Sequence, residues 1–220
     1  MDSIQSINPE TVKQIDKFLK LAHPNTKTDN EVEDLLFFYS NVLMMSENQE
    51  FEEAENFNEA IDAIGDQAFL AIACLLLASR LAGDDEHDLN RILIPHLFKD
   101  PSLDNDKIGD EDNILPLFKA FGNIGVAIEM YGEAYIQKVI DAVVQSNMTK
   151  FPRNMDEVNQ TIEKYRKMGT EIECDLSKEE NLYSCRVALS QDPIHLPKNK
   201  LVKSVHFEEP VLPPQPQPKK

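Results

Sequence analysis

The sequence predicts an all-α protein built as a helical bundle. Three observations carry that prediction. Apolar residues recur at helical spacing over most of the first 150 positions. Helix-start and helix-stop residues bracket those stretches. The stretch AFLAIACLLLA is apolar nearly all round, as a helix enclosed by other helices must be.

The first helix follows from Asn8-Pro9-Glu10, a polar cap, a first-turn proline and an acid. Val12, Ile15, Phe18, Leu19 and Ala22 continue at helical spacing until Pro24. A second helix is capped by Asp29 or Asn30. It carries Leu35, Phe38, Val42, Leu43 and Met45 on one side and runs on through 46–51. After a break near 55–58, a third helix spans Glu59 to about Leu81 and contains the enclosed stretch. Residues 83–113 are rich in acids and turn formers and read as an acidic surface insertion. Helical pattern returns over Ile114–Met130, breaks at Gly132, and resumes over Glu133–Gln145. Asp156–Lys167 reads as a helix, Leu182–Leu189 as a short strand, and Asp192–Pro210 as extended chain. The tail PVLPPQPQPKK holds five prolines in eleven residues and reads as disordered or polyproline II. The expected organisation is therefore a helical domain over 1–152, a C-terminal segment covering the site over 153–210, and a proline-rich tail over 211–220.

The 220 residues carry a formal charge of −17, from 39 Asp and Glu against 22 Lys and Arg. That surface repels phosphate backbones and argues against nucleic acid as a partner. The acid excess has two readings: solvated surface, or a divalent-cation site. There are three cysteines, an odd number, and none has CxxC spacing. The expectation is unpaired thiols in a reducing cytoplasm. Cys74, inside an apolar run, reads as a small core residue. The N-terminus has neither a basic region nor an apolar region of signal type. The run Ala68–Ala78 is too short to span a bilayer. The expectation is thus a soluble protein that needs no membrane.

Spacing separates two sets of acids. Glu47 and Glu50, three apart, share a helix face; Glu59, Asp62 and Asp66 share another. Asp66 borders the enclosed stretch, where a carboxylate is costly unless something neutralises it. Magnesium, a hard cation that takes oxygen ligands, is one such partner. The alternative is a solvated acidic face, which Glu52, Glu53 and Glu55 fit well. Ser146-Asn147-Met148-Thr149-Lys150 at a helix end puts an amide and an ammonium three apart, for a phosphate or a base edge. The alternative there is an ordinary helix C-terminus. Lys198, Lys200 and Lys203 form a basic patch with His206 and Phe207 as stacking candidates. It reads either as a cover over a triphosphate or as a linker. No P-loop, GxGxxG or GxSxG occurs, and the five histidines lack metal-site spacing.

Taken in order, these segments resemble the all-α nucleoside triphosphate pyrophosphohydrolases. The likeness is to the phosphoribosyl-ATP pyrophosphohydrolase-like branch of the MazG-like superfamily, found in phages and bacteria. The segments that carry it are Ser46–Phe51, Asp62-Ala63-Ile64-Gly65-Asp66, Ser146–Lys150 and Lys203–Leu212. Together they cover roughly 10–80 and 120–212. The resemblance implies magnesium-dependent hydrolysis of a (deoxy)nucleoside triphosphate to monophosphate and pyrophosphate, with Mn²⁺ as a possible substitute. It implies metal ligation by Glu47, Glu50, Asp62 and Asp66, and catalytic roles for Glu59 and Lys150. It implies nucleotide binding by Asn147, Lys150, Lys203 and Phe207, and assembly as a homodimer or homotetramer. The chain departs from the family pattern at Ser46 in place of the first acid, Ala63 in a Glu slot, and Val144 and Gln145 in place of His and Arg. These departures, the charge and the tail support a second reading: an acidic helical binding protein, acting as a nucleotide sensor, a DNA mimic or a virion accessory.

Overall fold

The computed structural model describes residues 7–83, 115–177, 180–193 and 196–217. Those residues are mostly helical. The elements are α1 (Pro9–Ala22), α2 (Asp29–Phe37), a π-helical turn (Phe38–Leu43), α3 (Met44–Glu53), α4 (Phe57–Ala82), α5 (Leu115–Tyr131), α6 (Glu133–Met148), α7 (Met155–Arg166), β1 (Thr170–Ser177) and β2 (Leu182–Ser190). The expected acidic insertion lies outside the described residues, apart from Gly83.

By its internal contacts the chain divides into two compact units. The first comprises Met1–Ile15, Lys27–Val143 and Leu212–Lys220; the second comprises Asp16–Thr26 and Val144–Val211.

In the first unit, α4 is the central element. Asn56 caps it, its Oδ1 accepting from Glu59 N at 3.1 Å, while Glu59 Oε2 accepts from Glu55 N at 2.8 Å. Such a reciprocal cap is worth about 1 kcal/mol. Gly83 ends the helix at φ 70°, a left-handed conformation suited to glycine. Between the caps, Ile61, Ile64, Phe69, Ile72, Leu76 and Leu77 are buried. By length and composition α4 could cross a membrane, but 78% of its most apolar window is buried inside the fold. A core helix meets the same test. α4 packs against α2, α3 and α5. Gly65 makes room for α6: a Cβ there would stand 2.6 Å from Val143 Cγ2 and 3.0 Å from Val139 Cγ1.

The structure corrects some boundaries. The cap of α2 is Thr28, not Asp29 or Asn30. Thr28 forms a capping box with Glu31, whose Oε2 accepts from Thr28 N at 2.9 Å and Lys27 N at 2.8 Å. Those donated hydrogen bonds hold the Glu31 carboxyl below its ordinary value. The second helix is interrupted by the π turn at 38–43, where Asn41 Nδ2 donates to Ser40 Oγ. α6 extends to Met148, so the SNM residues lie within its last turn.

The second unit corrects the all-α class. An antiparallel hairpin, β1–β2, packs against α7. Val158, Tyr165, Cys185, Val187 and Val202 form its core. A further stretch lies along β2: Val187 N donates to Lys200 O, Asn199 N to Val187 O, and Val202 N to Cys185 O. The expectation of unpaired cysteines is also corrected. Cys174 and Cys185 face each other in the hairpin register and form a disulfide, with Cα atoms 4.1 Å apart. Their separation of 11 residues spans the hairpin turn, which no short motif would show. Cys74 is free and buried, and burial pushes its thiol up to about 12.

Candidate functional site

In the first unit, the acids sit on the α3–α4 helical hairpin. A buried amide chain fixes its register. Gln67, fully buried, donates to Asn48 Oδ1 at 3.1 Å and to Glu47 O at 3.3 Å. Asn48 Nδ2 donates to Pro116 O at 2.8 Å, and Asn123 Nδ2 to Gln67 Oε1 at 3.3 Å. Residue 47 is thereby level with residue 67. The helices run antiparallel, so one turn forward to Glu50 corresponds to one turn back on α4, towards Asp62. By that register Glu47 lies near the level of Asp66, and Glu50 falls between the levels of Asp66 and Asp62.

Burial follows the same pattern. Glu47, Asp62 and Asp66 are half-buried, and Glu50 is exposed. Ala63 is 4% exposed, within the core. A carboxylate at 63 would be buried, whereas 62 and 66 keep the half-buried face. Ser46 Oγ contacts Glu50 Oε1 at 3.5 Å, at the long limit for a hydrogen bond. Glu52 pairs with Lys119 on the surface. Glu59 is exposed, and its carboxylate forms the cap of α4.

The four acids offer only carboxylate oxygens, with no nitrogen or sulfur. That donor chemistry suits Mg²⁺ or Mn²⁺ rather than zinc. Among the described residues, no group of three or more His, Cys, Asp or Glu side chains is already gathered around one point.

In the second unit, the SNMTK residues close the end of α6 and grip the C-terminal segment. Thr149 Oγ1 donates to Ser146 O at 2.7 Å and accepts from Glu208 N at 2.9 Å. Ser146 Oγ donates to Glu208 O at 2.7 Å, and Ser204 Oγ to Thr149 O at 2.9 Å. Lys203 N donates to Tyr165 Oη, and Val205 N to Thr161 Oγ1. These hydrogen bonds fix Phe207. Lys203 Nζ lies 4.4 Å from its ring centroid and Lys150 Nζ lies 5.9 Å from it. Both are within cation–π range. Lys203 also pairs with Glu209 at 3.0 Å. Asn147 is buried. His206 Nε2 stands 3.8 Å from Glu157 Oε1.

The sequence-derived residues thus form two groups. Glu47, Glu50, Asp62 and Asp66 occupy the helical hairpin of the first unit. Lys150, Lys203 and Phe207 cluster in the second, next to Asn147. Sequence reasoning missed Asn48, Gln67 and Asn123, which set the hairpin register. The available signal was an amide, Gln67, at the head of an enclosed apolar stretch. It also missed Ser146, Thr149 and Ser204 as the grip on the C-terminal segment. No protein-family model, no curated protein and no solved structure matches the chain.

Proposed function

We propose that the protein is a metal-dependent nucleoside triphosphate pyrophosphohydrolase, built on a helical bundle of that family's type. The observation that carries this reading is the hairpin register. The Gln67–Asn48 hydrogen bond sets the pairing of α3 with α4, the two helices that carry Glu47, Glu50, Asp62 and Asp66.

Glu47, Glu50, Asp62 and Asp66 would hold Mg²⁺ or Mn²⁺. When bound, such an ion supplies Lewis-acid stabilisation of phosphoryl charge and acidifies bound water. The chain's residues do the rest. The buried amide chain keeps the carboxylates in position, and the apolar side of α4 excludes water beneath them. Glu59 is assigned to capping rather than to positioning water. In the second unit, Lys150 and Lys203, held on the Phe207 ring, form a cationic pair suited to phosphate oxygens. Their hold on Phe207 favours charge pairing over base stacking by that ring. Self-association belongs to the same proposal; the Cys174–Cys185 disulfide removes the unpaired-thiol argument for a reducing cytoplasm. Exposed Phe37, Met45, Leu115 and Val126 support self-association.

A second reading, a nucleotide sensor without turnover, is favoured by Ser46, which removes one acid from the hairpin. The test is pyrophosphate release from a panel of nucleotides with Mg²⁺ or Mn²⁺. The expected outcome is release by the wild type, with losses on the order of 10²-fold in Asp66→Asn and smaller losses in Lys150→Ala. Tight nucleotide binding with no release by the wild type would establish the sensor instead.

A further inference from the structure

Within the first unit, three aromatic rings stand together where α4 meets the α5–α6 corner. Phe57 and Tyr131 meet edge to face, 5.4 Å between centroids. Tyr135 lies 6.5 Å from Phe57 and 6.0 Å from Tyr131. The chain's own tail lies on this cluster: Tyr135 Oη donates to Pro213 O at 3.1 Å.

The tail's burial is periodic. Pro213 and Pro216 are half-buried, as is Leu212 before them, while Pro214, Gln215 and Gln217 are exposed. A period of three, with neither helix nor strand, is the signature of polyproline II. Rings with one tyrosine hydroxyl donating to a carbonyl between prolines are a chemistry suited to that conformation. The hydroxyl meets a carbonyl that a polyproline helix leaves unpaired.

Two further features extend the surface beyond what the tail occupies. Phe57 and Tyr131 also line an apolar groove of about 270 Å³ with Phe51, Ile61, Val126 and Met130, which remains unfilled with the tail in place. On the other side, Glu129 and Glu133 flank Tyr131.

We propose that Phe57, Tyr131 and Tyr135 form a docking platform for polyproline II segments, closed in the resting chain by its own Pro213–Pro216. The partner is a proline-rich polypeptide segment with prolines three residues apart. It binds by displacing the tail, and an apolar side chain next to its prolines has the groove to enter. Tethering gives the tail a high effective concentration, so a free segment competes poorly until the tail is weakened.

The test uses the full-length chain and a fluorescent peptide with the sequence of residues 210–220. The P213A/P216A chain is expected to take up this peptide at least about tenfold more tightly than the wild type. The P214A/Q215A chain should behave as wild type. Tyr135→Phe in the P213A/P216A chain should weaken uptake by about five- to tenfold, the loss of one hydrogen bond. A peptide carrying the same two proline substitutions should not bind, and this arm does not depend on any variant folding. Equal uptake by the wild-type and P213A/P216A chains, or no uptake by either, would overturn the proposal. So would equal binding of the intact and substituted peptides.

Discussion

Gln67 donates a hydrogen bond of 3.1 Å to Asn48 Oδ1 in the interior of the α3–α4 hairpin, with both side chains buried. This bond, extended to Pro116 O and Asn123, sets which residues of the two helices share a level. Gln67→Leu removes a donor to Asn48 and an acceptor for Asn123, leaving buried amide groups unsatisfied. The expected cost is about 1–3 kcal/mol. Urea unfolding should show a lower midpoint at unchanged slope. An unchanged midpoint would mean the amide chain does not set the register.

Gly65 and Val143 are in contact too close for any larger side chain. Gly65→Ala would put a methyl 2.6 Å from Val143 Cγ2. Overpacking of this kind costs about 1–3 kcal/mol. Adding Val143→Ala should recover part of the loss, because it removes the clashing methyls. A double variant no more stable than Gly65→Ala would place the strain elsewhere.

The Cys174–Cys185 bond closes a short loop. Serine at both positions is expected to lower stability by about 2–3 kcal/mol on the chain-entropy account. In denaturant without reductant, thiol titration should find one reactive group, Cys74, and three after reduction. Native Cys74 should resist alkylation at mildly alkaline pH, because burial raises its thiol to about 12 and leaves almost no thiolate. Three reactive thiols without reductant would show that the pair is open in solution.

Much of this fold was legible in the sequence. Asn8-Pro9-Glu10 announced α1, Gly132 the break between α5 and α6, and the enclosed apolar stretch the central place of α4. What was missed has local causes. In β1, Ile172, Cys174 and Leu176 alternate with Glu171, Glu173 and Asp175. That is a strand pattern, obscured by the acid-rich surroundings. The turn that returns the chain uses Asn181 at φ 52°, a conformation open to asparagine without a glycine to announce it. The π turn leaves no mark in apolar periodicity. The acids of the hairpin were found by spacing. The amides that align them were not, since an amide's partner is set by tertiary packing.

The capping box of α2 gives a pH test. Glu31 has a folded pKa below its unfolded value. Its contribution is therefore full above the unfolded glutamate range and is lost as pH falls through the lowered folded value. Wild type should exceed Glu31→Gln in urea midpoint at neutral pH, and the difference should shrink as the solution is acidified below that range. A constant difference across that window would assign the stabilisation to something other than the carboxylate.

The proposed reaction is cleavage between the α- and β-phosphates, supported by metal held on the carboxylates of the hairpin. The most direct measurement is phosphorus NMR of the products formed from nucleoside triphosphates with Mg²⁺, for wild type and Asp66→Asn side by side. Monophosphate and pyrophosphate in equal amounts are expected from the wild type, with at least about 10²-fold slower formation in the variant. Diphosphate with orthophosphate, equal rates for both chains, or no product from any nucleotide with Mg²⁺ or Mn²⁺ would contradict it.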